Sequence, residues 1–125
     1  MAKSVLLVGL EPTLVDFSDP DLPPGLDAGK VQAAIDADKA RLAGLGYDAD
    51  LCLTDLGETA EASVVEKLKR RRYDVVVIGA GVRKPDRHFL LFERLVNAAH
   101  EHAPQAKLCF NTKPDDTAEA VGRWI

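Results

Sequence analysis

The sequence has few cysteines and none of the spacings that give cysteine a metal or redox role. Cys52 and Cys109 are far apart in the chain, and neither belongs to a C-x-x-C pair. Each lies between apolar residues inside a predicted strand. This setting predicts buried, unreactive thiols, because a free cysteine packs like a small hydrophobic residue.

Long hydrophobic runs and an excess of positive charge are also missing. The apolar stretch from Val5 to Leu10 is too short for a signal peptide or a membrane span. A formal net charge of -4 and a pI near 5.3 oppose non-specific attraction to nucleic acid or anionic lipid. We therefore expect a cytoplasmic protein that binds neither nucleic acid nor membrane.

Several catalytic motifs are absent from the sequence. It contains no G-x-x-x-x-G-K-[ST] loop, and Ser18 lacks the G-x-S-x-G context of a hydrolase nucleophile. Glu11 and His88 remain candidates for an acid–base pair, with nothing in the sequence to fix their separation. The sequence identifies no cofactor and no metal site, and it leaves open whether the chain is an enzyme.

What the sequence does contain is an alternation of strand and helix patterns, which is typical of a parallel sheet with helical crossovers. The length of 125 residues matches one domain covering residues 1–125. The first apolar run has no polar alternation, which predicts a strand covered on both faces, and the third is the most hydrophobic, which predicts a central strand. The second run alternates and carries two aspartates, which predicts an edge strand. The four predicted strands are Val5–Val8 closed by Gly9, Tyr47–Thr54, Tyr73–Ile78 and Lys107–Phe110.

Helix boundaries are predicted from capping residues. Asp27 caps the first helix, Ser63 and Glu66 form a capping box for the second, and the third begins at Asp86. Either Asp115 or Asp116 caps the last one. The expected buried faces contain Val31, Ala34, Ile35, Leu42 and Leu45 in the first helix, Phe89, Phe92, Leu95, Val96 and Ala99 in the third, and Val121, Trp124 and Ile125 in the last.

Asp38 interrupts the apolar stripe of the first helix. It follows Ile35 by three positions and precedes Leu42 by four, so it lies close to the buried face. Asp38 therefore either lies at the solvated margin of that face or reaches a partner there, and the solvated position is favoured because unpaired carboxylates are rarely buried.

The predicted fold is a three-layer α/β/α domain with a four-stranded parallel sheet in the order 2-1-3-4. Ligands of such sheets bind beyond the carboxyl ends of the strands, where the chain reverses direction between the first and third strands. Glycines there expose backbone N–H groups, and the cations that follow suit an anion. The predicted ligand-binding residues are Gly9, Glu11, Gly79, Gly81, Arg83, Lys84, His88 and Asn111.

The segment Val75–Gly81 resembles the opening strand and turn of dinucleotide-binding Rossmann domains. That family has a third glycine where this chain has Lys84, so the usual NAD or FAD binding is not expected. The whole βα plan resembles small Rossmann-like domains of bacteria, with flavodoxin-like or receiver-like topology. Receiver chemistry does not carry over, because Gly79 stands where that family has its phosphorylated aspartate. Cysteine-dependent phosphatases are similar in plan but need C-x5-R, and Glu58 and Asp115 occupy the arginine positions.

A long connection follows the first strand, over residues 11–26. Loops of this length are commonly lids or binding elements, and its apolar residues also suit an interface. Its acidic residues, Asp16 and Asp19 among them, compete with a ligand for the nearby cations. Two functions follow from the sequence: binding of an anionic metabolite or nucleotide, or a non-catalytic interaction domain, most simply a homodimer.

Overall fold

The computed structural model describes residues 2–20, 22–57, 59–113 and 116–125. Its centre is a sheet of four parallel strands in the order β2-β1-β3-β4, as the sequence predicts. β3 pairs with both β1 and β4 and is therefore interior, whereas β2 is an edge strand. The strands are β1 (Ser4–Leu10), β2 (Asp48–Thr54), β3 (Val75–Ile78) and β4 (Lys107–Phe110).

Helices cover both faces of this sheet, which confirms the three-layer plan. One core packs α2, α3 and α4 against side chains such as Leu6 and Val76, and the other packs α1 and α5 against the alternate positions such as Val5 and Val77. Neighbouring side chains of a strand point to opposite faces, so each apolar strand serves both cores. The helices are α1 (Ala28–Gly44), α2 (Ala60–Arg70), α3 (Ala80–Arg83), α4 (Phe89–His102) and α5 (Thr117–Gly122).

In the described connections, 3₁₀ turns form at Pro12–Leu14 and at Asp86–His88. The sequence pattern predicts a single helix from Asp86 and none at Ala80–Arg83, so the short α3 is an addition. Within the described residues, no helix is both long and apolar enough to cross a lipid bilayer.

Several predicted boundaries are wrong. β2 begins at Asp48 rather than Tyr47, β3 at Val75 rather than Tyr73, and α4 at Phe89 rather than Asp86. β1 does not stop at Gly9 but continues to Leu10, because β2 extends equally far and Gly9 and Leu10 pair with Leu53 and Thr54. α2 begins at Ala60 rather than at Ser63, whose backbone N–H donates to the Thr59 carbonyl. Ser63 is thus inside the helix, and the capping box does not form.

The predicted caps of the first and last helices have different outcomes. The Asp27 carboxylate accepts from the Lys30 backbone N–H at 2.8 Å, which confirms this cap. Asp116 occupies the cap position of α5, but its carboxylate accepts from the backbone N–H groups of Thr112 and Lys113 in the preceding turn. Asp115 lies outside the described residues.

Some residues expected in the core are exposed. Leu45 comes after the last turn of α1, and Phe89 is the first residue of α4, so neither reaches the sheet; they are 60% and 59% exposed. Trp124 and Ile125 follow the end of α5 and are also exposed, while Val121 alone of that predicted set is buried. The apolar face predicted from helical periodicity extends only as far as the helix, so residues at or beyond its ends are not held against the core.

Candidate functional site

A small cleft lies at the carboxyl ends of β1 and β3, where the direction of the chain reverses. It has a volume of about 60 Å³, and Gly9, Gly79 and Asn111 line it, together with apolar side chains of the strands and α1. Gly79 is held against β1 because its N–H donates to the Val8 carbonyl at 2.8 Å. A Cβ atom on Gly79 would lie 3.3 Å from that oxygen, so only glycine allows this close approach without displacement.

Asn111 connects the elements around this cleft. Its Oδ1 accepts from the Ala80 backbone N–H at 2.8 Å, and its Nδ2 donates to Thr117 Oγ1 at 2.9 Å. The orientation of the amide follows from chemistry, because a backbone N–H can only donate and must face the oxygen. Asn111 thereby joins the first residue of α3 to the first residue of α5.

The same chain of hydrogen bonds ends at Asp38, where the favoured expectation of a solvated position is wrong and the alternative, contact with a partner, is found. Thr117 Oγ1 donates to Asp38 Oδ2 at 2.7 Å, and Asp38 is 8% exposed and lines the cleft. α5 covers this part of α1 and supplies the hydroxyl donor, so the carboxylate is buried without losing its hydrogen bonding. Its place within the apolar stripe was the sequence signal for this burial.

Arg83 lies on the other side of Asn111. Its guanidinium donates to the Asn111 carbonyl oxygen and sits 5.6 Å from the centre of the Phe110 ring. Its Nε is buried and has no hydrogen-bond partner among the described residues. Burial lowers the pKa of the Arg83 guanidinium, and the nearby charge of Asp116 acts in the opposite direction. Arg83 is therefore a partly desolvated cation that retains an N–H donor unused by the described residues.

Lys84 and Arg87 face a different, open cleft of about 400 Å³ formed by the loop that follows β1. Arg87 lies 3.8 Å from the carboxylate of Asp16 and 3.9 Å from that of Asp19. Hydrogen bonds from Ser18 to Asp16 hold the pKa of that carboxyl below its ordinary value. Ion pairing with the loop, which the sequence left as an alternative to ligand binding, is therefore present at Arg87.

Glu11 and His88 do not form an acid–base pair. The Glu11 carboxylate accepts from the backbone N–H and the hydroxyl of Thr13 and so caps its own 3₁₀ turn. His88 is buried, and its Nδ1 donates to the Gly81 carbonyl at 3.1 Å. Neither these two residues nor Gly81 lines the cleft between Gly9 and Gly79.

A second polar cluster lies at the start of β2 and stabilises the fold. Arg71 contacts the carboxylates of Asp48 at 2.6 Å and Asp50 at 3.0 Å, and the buried Tyr73 hydroxyl donates to Asp50 at 2.7 Å. Burial, followed by this contact with Asp50, raises the pKa of Tyr73. These contacts join the edge strand to the segment before β3.

The described residues contain no metal centre and no reactive thiol. No group of three or more His, Cys, Asp or Glu side chains there could hold a metal ion. Both cysteines are buried, and burial raises the pKa of the Cys52 thiol and brings that of Cys109 to about 11. Comparison of the sequence with protein-family models and with curated proteins finds no match.

Proposed function

We propose that this chain is a small-ligand-binding domain and that Arg83 binds an anionic group of its ligand. The observation that carries the proposal is the state of Arg83: partly desolvated, with a buried Nε that no described residue satisfies. An arginine side chain has five N–H donors, and a phosphate or carboxylate is the group they fit best. A bound anion would offset the cost of removing this cation from water.

The position of Arg83 supports the same proposal. α3 begins where β3 ends, and the Arg83 guanidinium reaches the carbonyl at the end of β4, at the sheet edge where parallel α/β domains bind ligands. Arg87 is engaged with the loop carboxylates. Lys84 is exposed beside that loop and adds positive charge near the site. The primary contact therefore belongs to Arg83, and Lys84 contributes long-range attraction.

Thermal-shift screening with phosphorylated and carboxylated metabolites tests this function. We expect stabilising ligands, and we expect Arg83→Ala to weaken their binding by about 10-fold or more, the loss of one charge-assisted contact. Arg123→Ala is the matched control, because Arg123 also donates to a carbonyl at the end of β4, that of Phe110 at 2.9 Å, but is exposed. Lys84→Ala should have a smaller effect that disappears in high salt.

The results separate the proposal from its alternatives. Equal stabilisation of the wild type and of Arg83→Ala by every ligand would remove Arg83 from the site. Loss of binding in Arg123→Ala as well would show a general effect of surface charge rather than a specific contact.

A second candidate function is homodimerisation through the end of α5. Trp124 is 54% exposed and is followed by the exposed Ile125. A large exposed aromatic residue is typical of the centre of an interface. Sedimentation over a range of concentrations tests this idea: the wild type should dimerise and Trp124→Ser should not, while Leu45→Ser, an exposed leucine elsewhere, should behave like the wild type. A wild-type chain that stays monomeric throughout would reject it.

A further inference from the structure

The hydrogen bonds around the cleft run in one direction. The Ala80 N–H donates to Asn111, Asn111 donates to Thr117, and the Thr117 hydroxyl donates to Asp38. Each donor points toward the carboxylate, so the aligned dipoles stabilise a negative charge on Asp38. The single hydroxyl proton of Thr117 is used in this chain, and its oxygen can act toward a ligand only as an acceptor.

Asp38 is the only charged residue among the described residues that line the cleft. The other walls are apolar side chains, the glycines Gly9 and Gly79, and the polar groups of Asn111 and Thr117. A carboxylate has about four lone-pair positions. Asp38 can therefore accept from a ligand while it keeps the contacts it already makes, the bond from Thr117 among them. An apolar cleft with one carboxylate is complementary to a small cationic donor.

We propose that this cleft receives the primary ammonium group of the ligand, with Asp38 as its counter-ion. The inference rests on the proposed function, because the anionic group of the same ligand is the one assigned to Arg83. Asn111 holds both ends: its carbonyl accepts from Arg83, and its side chain begins the chain that leads through Thr117 to Asp38. The ligand class is therefore a small zwitterion, an aminoalkyl phosphate or an amino acid.

The size of the cleft limits the ligand further. A volume of about 60 Å³ is far below the roughly 300 to 1,000 Å³ of pockets that enclose whole drug-sized ligands. It admits a terminal group of a few heavy atoms and excludes a nucleotide base. A divalent cation is a poor occupant as well, because Ca²⁺ and Mg²⁺ require six or more oxygen ligands, and Asp38 is the only carboxylate that the described lining offers.

Calorimetric titration at constant ionic strength with three matched probes tests the inference. O-phosphoethanolamine has both charged groups, ethyl phosphate has only the anion, and ethanolamine has only the ammonium. We expect the wild type to bind O-phosphoethanolamine about 10-fold or more tightly than ethyl phosphate, the gain from one charge-assisted contact. Phosphocholine should bind no better than ethyl phosphate, because its head group has no N–H and is too large for the cleft.

Two variants assign the groups to their residues. Asp38→Asn keeps the shape and an acceptor for Thr117 but removes the charge, so it should bind O-phosphoethanolamine and ethyl phosphate equally. Arg83→Ala should lose affinity for both phosphates. Asp36→Asn, at an exposed aspartate on the same helix, should retain the wild-type preference. Thermal unfolding verifies that each variant is folded, and the phosphocholine comparison uses the wild type alone.

The possible failures are distinguishable. If the wild type binds O-phosphoethanolamine and ethyl phosphate equally, the ammonium site is rejected and the anion function stands. If ethanolamine binds through Asp38 but neither phosphate uses Arg83, the assignment of a zwitterion is rejected together with the anion function. If none of the probes binds, both proposals are rejected for this class of small ligand.

Discussion

Arg83 and Arg87 are one helical turn apart in sequence, and their surroundings give them different roles. Arg87 lies between two loop carboxylates at 3.8 and 3.9 Å, a separation that allows charge attraction with little hydrogen bonding. Arg83 instead lies over Phe110 and donates to a carbonyl oxygen. A cation without a carboxylate partner among the described residues is available to an anion, whereas a paired one must first be released.

Gly79 provides a stability prediction at this scale. Gly79→Ala should lower the free energy of unfolding by about 1 kcal/mol, because the new methyl group would press on the Val8 carbonyl oxygen in the interior of the sheet. Gly122→Ala is the control, since a Cβ there meets nothing within 4 Å. It should leave stability unchanged or raise it slightly. Urea unfolding measures both; a Gly79→Ala protein as stable as the wild type would contradict the close approach.

Asp50 provides a prediction for the dependence of stability on pH. The hydrogen bond from Tyr73 and the contacts with Arg71 hold the pKa of Asp50 below its ordinary value of 3.8. A lowered pKa in the folded state means that Asp50 stabilises the protein above about pH 3.8 and that this contribution is lost as the pH falls further.

Urea unfolding between pH 7 and pH 3 tests the contribution of Asp50. Asp50→Asn should be less stable than the wild type at neutral pH, and the difference should shrink as the pH falls below 3.8. Glu61→Gln, at an exposed residue of α2, should follow the wild-type curve. A difference between Asp50→Asn and the wild type that stays constant across this range would contradict an ionic role.

At the scale of elements, the sequence pattern and the structure differ at the ends of helices. α1 begins after its Asp27 cap as predicted, and Gly46 follows its end with a φ of 93°, which favours glycine. α2 instead starts a turn before its predicted cap, because Ala60 is buried against the core. A local capping preference of about 1 kcal/mol is outweighed by the burial of an additional apolar turn.

We therefore predict that alanine substitutions at Ser63 and at Asp27 change the free energy of unfolding in opposite directions. Ser63→Ala should raise the free energy of unfolding by about 0.5 kcal/mol, because alanine is the better residue inside a helix. Asp27→Ala, at a cap that does form, should lower it by about 1 kcal/mol. Chemical denaturation measures both variants. If Ser63→Ala lost as much stability as Asp27→Ala, the result would indicate that Ser63 does cap the helix.

At the scale of the whole molecule, the loop over residues 11–26 connects β1 to α1 and also contacts the segment between β3 and α4. Arg87 makes this link through Asp16 and Asp19, across the open cleft. Val15 packs against the core and holds the first part of the loop in place. The Arg87–Asp16 pair is about half exposed, and a pair of this kind contributes little to global stability but restricts where the loop lies.

Arg87→Ala should therefore increase the rate of limited proteolysis within residues 11–26 several-fold, while the free energy of unfolding changes by less than about 1 kcal/mol. Arg94→Ala, at an exposed arginine of α4, is the control and should be cleaved like the wild type. High salt should bring the wild type toward the variant. Identical cleavage patterns for all three proteins would show that the ion pairs do not hold the loop.

The sheet and the edge where its strands end were predictable from local signals, whereas the side-chain contacts at that edge were not. Gly9, Gly79 and Asn111 were predicted to meet there because parallel strands end together, and they line one cleft. Glu11 and His88 were predicted at the same edge, but each forms a short-range hydrogen bond away from the cleft. Proximity of backbone positions does not determine where a side chain points.

The amino-acid sequence by itself determined the order of strands and helices, the parallel sheet and the edge at which the ends of its strands meet. These follow from hydrophobic periodicity and the handedness of crossovers, which act over short stretches of chain. Only the tertiary structure decided that Asp38 is buried and that Arg87, rather than Arg83, is paired with the loop. Those outcomes depend on partners distant in sequence, such as Thr117 for Asp38, which only packing brings together.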